Sequence, residues 1–178
     1  MSCKKQKTNI LLLMTDQQRP DSLGCYGAKS AITPNLDALA VNGVVFDNCY
    51  VSNPLCCPSR YSICTGRYPH NHGVTLNWRA PHPWETSFGH VLSRNGYRTG
   101  AIGKMHFTPW QDRFGFDGKI IAEAKYHNAC DDDYERFLNK HGFSRKSLHD
   151  QSSEEYINNC TAVKSKVPAE LHIDSFVG

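Results

Sequence analysis

The run Thr8-Asn-Ile-Leu-Leu-Leu-Met-Thr15 constrains the fold more than any other stretch of the chain. Its apolar residues are continuous rather than alternating, so it reads as a strand buried on both faces. The run stops at Asp16, which places a carboxylate at the strand's carboxyl end, where open α/β sheets put their ligands. Val44–Val51 mixes apolar and polar residues as a second strand would, and Tyr97–Gly103 reads as a third. Helices are expected between them. One starts at the Thr33 cap and Pro34, carries a stripe of Leu36, Leu39 and Ala40, and stops at Asn42-Gly43. Another runs from Thr86 to Asn95 and is closed by Gly96. Arg19–Ser30, with Pro20, Gly24 and Gly27, is loop. This alternation belongs to the α/β class.

A second stretch, Asn53-Pro-Leu-Cys-Cys-Pro-Ser-Arg-Tyr-Ser-Ile-Cys-Thr-Gly-Arg67, carries the chemistry. Pro58 suits the first position of a helix, where a missing N–H costs nothing. Gly66 suits the residue just past that helix's end, where a left-handed backbone is wanted. Cys56 and Cys57 then stand where a loop enters a short helix, among free backbone N–H groups at the positive end of the helix dipole. Arg60, read into the first turn, adds a permanent positive charge. These surroundings favour an anion. The plain alternative is a buried cysteine pair at a helix start.

Cys56-Cys-Pro-Ser-Arg60 followed by Thr65-Gly-Arg67 resembles the type I sulfatase signature Cys-x-Pro-Ser-Arg-x-x-x-Leu-Thr-Gly-Arg, with Cys64 at the usual Leu position. The resemblance implies an alkaline-phosphatase-like α/β fold, a mixed and mostly parallel sheet flanked by helices, incomplete in this chain. It implies that Cys56 is oxidised to formylglycine by a formylglycine-generating or anaerobic maturation enzyme. Hydrated, the aldehyde is a geminal diol: one hydroxyl attacks the sulfur and the other later expels sulfate. The strand-end acid, here Asp16, would bind a divalent cation, with the diol oxygen of Cys56 as a further ligand. Calcium is the usual ion, with magnesium or manganese as the other choices for oxygen ligands.

Further pieces extend the resemblance. Asp16-Gln17, in place of two adjacent acids, is similar to a subgroup that includes choline sulfatases and phosphonate monoester hydrolases. Asn77 falls where that subgroup often has an asparagine near the bound oxyanion. Gly103-Lys-Met-His-Phe resembles the family's Gly-Lys-x-His element, whose Lys and His, here Lys104 and His106, contact the sulfate and the leaving oxygen. From the residues alone, these two side chains reach the same side only if the backbone after the strand stays extended. Arg113-Phe-Gly-Phe-Asp117 resembles the loop that follows. His70 and His72 lie in an expected loop with no cysteine at zinc spacing, and are read as shaping it.

Beyond Gly118 the signal fades. Asp131–Gly142 reads as a helix opened by acids and closed by Lys140, His141 and Gly142, with the three acids solvated. Ser152–Val163 is a second short candidate, and a helix is expected to begin near Asp174. The resemblance is dense from Ile10 to Asp117 and thin afterwards. Residues 1–178 are therefore expected to be the front portion of a single sulfatase catalytic domain, inactive by themselves.

The bulk numbers set outer limits. A length of 178 residues, 39% hydrophobic and 21% charged, is that of a globular domain and does not suggest disorder. A net charge of +3, evenly spread, does not argue for nucleic acid. Eight cysteines would form a disulfide framework only in a secreted chain. Ile10–Met14 is too short for a signal sequence, Cys3 lacks the apolar segment of a lipoprotein anchor, and no stretch reaches membrane-spanning length. The expected setting is the cytoplasm, with reduced thiols and no membrane partner. The expected substrate is a sulfate ester or sulfamate of a small molecule or saccharide. A phosphonate monoester or phosphodiester is the second reading, and a truncated, non-catalytic remnant is the third.

Overall fold

The structure, a computed structural model, describes residues 7–123, 131–145 and 165–178. The helix expected over 152–163 lies outside them. The chain divides into two compact units, Met1–Tyr50 and Val51–Gly178.

The first unit is built around one helix, α1 (Pro34–Asn42), with Pro34 in its first turn as the sequence implies; Thr33 stands at the position before it, but its hydroxyl takes the Gly24 N–H at 2.9 Å instead of capping the helix. Two 3-10 turns, Pro20–Ser22 and Gly24–Tyr26, precede it. Asp37 ties these parts together: it accepts the Cys25 N–H at 2.7 Å and the Thr33 hydroxyl at 3.1 Å. A Cβ on Gly24 would sit 2.6 Å from that carboxylate, so the close approach requires glycine. The apolar stripe of α1 is not buried; Leu36 and Leu39 are exposed.

The two strands expected in this part do not form. Residues 7–15 and 44–51 are irregular, and Leu11 and Leu13 are 81% and 74% exposed. The physical reason is that apolar patterning selects extended backbone but does not make a strand. A strand needs a neighbour to complete its ladder, and nothing among residues 7–50 pairs with either run.

The second unit holds the sheet: β1 (Gly100–Gly103) and β2 (Gly118–Ile121), parallel and in register from Gly100 opposite Gly118 to Gly103 opposite Ile121. β2 escapes sequence reading because it is four residues long and carries a lysine. β1 is shorter than its expected Tyr97 start, because Asp117 takes the Thr99 N–H at 2.8 Å and its hydroxyl at 3.0 Å. These bonds hold the Asp117 carboxyl below the usual range and bind the two strands at their starts.

Around the sheet lie α2 (Cys56–Thr65), α3 (Pro69–His72), α4 (Phe88–Arg94), α5 (Asp133–Lys140) and α6 (Ile173–Val177). One apolar cluster gathers Cys57, Tyr61, Val74, Phe107 and Phe114; a second gathers Ala122, Tyr134, Leu138 and Val167. The loop Arg113–Asp117 crosses α4 at Gly115, whose φ is +87° and whose Cβ would lie 2.4 Å from His90. Only glycine fits there, which accounts locally for the Phe-Gly-Phe element.

The acids before α5 are not the solvated cluster expected. Asp131 alone is solvated, paired with Arg136 at 3.2 Å. Asp132 is fully buried, caps the helix by accepting the Glu135 N–H at 2.9 Å, and takes the Glu123 N–H at 2.8 Å and the Arg145 guanidinium at 2.5 Å. Asp133 accepts the Ile121 N–H at 2.8 Å. Backbone donors left over at the end of β2 need acceptors, and these two carboxylates supply them.

Candidate active site

The site begins with α2. The helix starts at Cys56 with Leu55 as its cap, so Pro58 is its third residue rather than its first, and Arg60 lies past the first turn. Proline is still tolerated, because the first intrahelical bond is Ser59 N–H to Leu55 C=O at 3.1 Å and no earlier N–H is needed. Gly66 ends the helix in the left-handed region as expected, with φ +67°. Leu55 has no side chain that caps. Asn77 supplies the acceptor from twenty residues away, its Oδ1 taking the Cys57 N–H at 3.0 Å.

The two cysteines have different surroundings. Cys57 is fully buried, its Sγ–H donates to the His106 carbonyl at 3.2 Å, and burial pushes its pKa up. It is a packed thiol. Cys56 is half-buried, and Lys104 Nζ approaches its Sγ to 3.7 Å. Cys64 packs against the first cluster, with burial pushing its pKa up to about 12, so it stays protonated and behaves as the apolar residue that its position calls for.

Lys104 and His106 follow β1 directly, but the backbone does not stay extended. Gly103 has φ +97° and His106 has φ +57°. A non-glycine residue there costs on the order of 1 kcal/mol and must be held in place. Arg60 is buried and its guanidinium donates to the Lys104 carbonyl, which ties this loop to α2. The His106 N–H donates to Glu123 Oε1 at 2.8 Å, and its ring meets Trp78 edge-on at 4.4 Å between centroids.

Five of the sequence-predicted residues, Cys56, Arg60, Asn77, Lys104 and His106, are thus linked through direct contacts or through Cys57. Asp16 belongs to the other unit and is exposed. Among the described residues, no group of three or more His, Cys, Asp or Glu stands ready to hold a metal ion. Two neighbours of His106 escape sequence reading: Trp78, directly after Asn77, and Glu123, just past an unrecognised strand. The rule that strand ends carry function would have found Glu123 had β2 been visible.

The histidines after the motif have packing roles. The expected loop is the short helix α3, and His72 is fully buried in it. Its Nδ1 accepts the Val74 N–H at 3.2 Å, which leaves Nε2–H to meet Ser62 Oγ at 3.0 Å. His70 stacks on Tyr68. Arg67, the last residue of the signature, pairs with the nearly buried Glu85 at 2.5 Å.

The family model described as Sulfatase matches residues 8–168. The chain is 38% identical over 121 residues to the N-acetylglucosamine-6-O-sulfatase of Bacteroides thetaiotaomicron, a match covering 68% of this chain and 21% of that protein. Among solved structures it is similar, at 38% identity and a TM-score of 0.60, to a protein in complex with its substrate D-glucosamine-2-N,6-O-disulfate; the match covers 64% of this chain and 23% of that one. It also shares its fold with the phosphonate monoester hydrolase of Agrobacterium radiobacter, at 21% identity and a TM-score of 0.68, covering 91% of this chain and 34% of that one. The chain spans between 19% and 31% of the length of the first curated relatives it matches.

Proposed function

Because the chain belongs to the sulfatase family, with its alkaline-phosphatase-like α/β fold, we propose that it is the front portion of a catalytic domain that hydrolyses sulfate esters at Cys56. The observation that carries this reading is the approach of Lys104 Nζ to Cys56 Sγ at 3.7 Å, between residues 48 positions apart. The signature and the Gly-Lys-x-His element are remote in sequence, and they meet at the helix N-terminus.

As formylglycine hydrate, Cys56 would supply one hydroxyl to attack sulfur and a second to release sulfate. The maturation enzyme would make that group. Four residues of this chain would act around it. The start of α2 and the Lys104 ammonium present positive charge beside Cys56, where the oxygens of a transferring sulfuryl group gain negative charge. Arg60 keeps Lys104 at that point by holding its carbonyl. Asn77 orients the helix start through the Cys57 N–H. His106 is assigned the donor role toward the leaving oxygen.

Sulfatases generally use a divalent cation. For this chain we assign it to Asp16 and, by the preference of hard oxygens, to calcium. The described residues do not complete a cation cage, so no step is routed through the ion. Calorimetry on the full-length protein checks the assignment: Asp16→Ala should abolish calcium binding, while Gln17→Ala should leave most of it. Equal losses would remove Asp16 from its role.

The substrate class is proposed as a sulfate ester or sulfamate of a saccharide or small molecule, since a relative of this chain is complexed with such a sugar. We further propose a reducing, cytoplasmic setting from the cysteine usage of the sequence alone. Among the described residues, no helix is long and apolar enough to cross a membrane. The decisive assay compares kcat/KM for an aryl sulfate and a phenyl phosphonate ester with the full-length protein. A preference for the sulfate is expected. A preference for the phosphonate would move the reading to the Asp16-Gln17 subgroup's other chemistry.

A further inference from the structure

Glu123 lies two residues past β2, and the Ala122 N–H still donates to the Gly103 carbonyl at 3.1 Å. The carboxyl ends of the two parallel strands are therefore adjacent, and Glu123 stands beside the loop that carries Lys104 and His106. Its side chain is almost wholly buried, at 1% exposure. Burying a carboxyl is unfavourable unless bonds compensate for lost water, and burial accordingly pushes its pKa up. A residue there needs a reason to be acidic.

The contact it makes supplies one. Glu123 Oε1 accepts the His106 N–H at 2.8 Å, from a residue seventeen positions away. The next peptide group is held from the opposite partner, where Cys57 Sγ donates to the His106 carbonyl at 3.2 Å. Between these two bonds His106 adopts φ +57°, a conformation that persists only when its surroundings over-determine it. Trp78 then meets the ring. Glu123 is itself anchored: its N–H donates to Asp132 Oδ2 at 2.8 Å, and Asp132 is gripped by Arg145 at 2.5 Å.

We propose that Glu123 is a positioning residue for His106, its carboxyl oxygen fixing the left-handed turn at His106 and, through it, the direction in which the imidazole is offered. This rests on the reading of His106 as the donor to the leaving oxygen. Glu123 touches neither substrate nor reacting atoms; it acts through the backbone of the residue that does.

The test uses the full-length protein, with kinetics on an aryl sulfate and histidine ring NMR of the same samples. The His106 ring signal is identified by its loss in His106→Ala. Glu123→Gln keeps an acceptor oxygen of the same reach, so it should leave kcat within about threefold and the His106 signal in place. Glu123→Ala should move the His106 signal and lower kcat roughly thirtyfold with KM little changed. Placed on His106→Ala, it should cost less than about twofold more, because two residues acting through one group are not additive.

The proposal is overturned by an unmoved His106 signal in folded Glu123→Ala, by a full Glu123→Ala loss on the His106→Ala background, or by Glu123→Gln displacing the His106 signal. If Glu123→Ala does not fold, the Glu123→Gln spectrum decides. A wild-type protein that turns over no sulfate ester would count against the sulfatase reading, while the ring spectra would still decide the role of Glu123.

Discussion

Cys56, and not Cys57, is expected to lose about 18 Da when the full-length protein is produced with an active maturation enzyme, as thiol becomes aldehyde. Register and burial both select Cys56. By register, Cys56 stands two residues before Pro58 and four before Arg60, as the signature requires. By structure, Cys57 is fully buried and its thiol is already spent on the His106 carbonyl, whereas Cys56 opens the helix beside the Lys104 ammonium. Cys56→Ala should then reduce turnover by roughly 10⁵-fold or more, the scale on which loss of a covalent nucleophile acts, or ~7 kcal/mol of transition-state stabilisation. Cys57→Ala should still show the mass loss at Cys56. Peptide mass spectrometry that finds the lost mass at Cys57, or at neither residue, would refute the assignment.

Lys104→Ala should lower kcat on an aryl sulfate about a hundredfold, equivalent to ~2.7 kcal/mol, with a much smaller change in KM. Charge on the transferring group's oxygens grows toward the transition state, so a fixed ammonium there acts mainly on kcat. The structure makes the variant a clean probe. The loop is held through the Lys104 backbone carbonyl by Arg60, and alanine keeps that carbonyl. Truncating the side chain should therefore remove the charge without releasing His106. A kcat within threefold of wild type would take Lys104 out of the reaction.

What could be read from the chain alone were signals carried by neighbours in sequence. The Thr33-Pro34 start of α1, the left-handed Gly66 after α2, and the helix expected over Asp131–Gly142, observed as α5 from Asp133 to Lys140, were legible because helix starts and ends are local. The family was legible for the same reason: its signature is contiguous, and Gly103-Lys-Met-His-Phe follows a strand that also forms. The register of Cys56 against Pro58 and Arg60 needed no coordinates either.

The tertiary structure decided everything that depends on partners far along the chain. Ile10–Met14 has the pattern of a buried strand, yet burial requires a covering neighbour, which the pattern cannot supply, and the run stands exposed. Asp132 and His72 look like surface residues in sequence and are fully buried, each because backbone or hydroxyl groups brought by another segment satisfy it. Asn77 caps a helix twenty residues earlier, Arg60 holds a carbonyl 44 residues later, and Glu123 grips the backbone of a histidine on the adjacent strand end. Sequence determines which groups have unsatisfied donors, charges and apolar faces; only the packing of segments determines which group answers each of them.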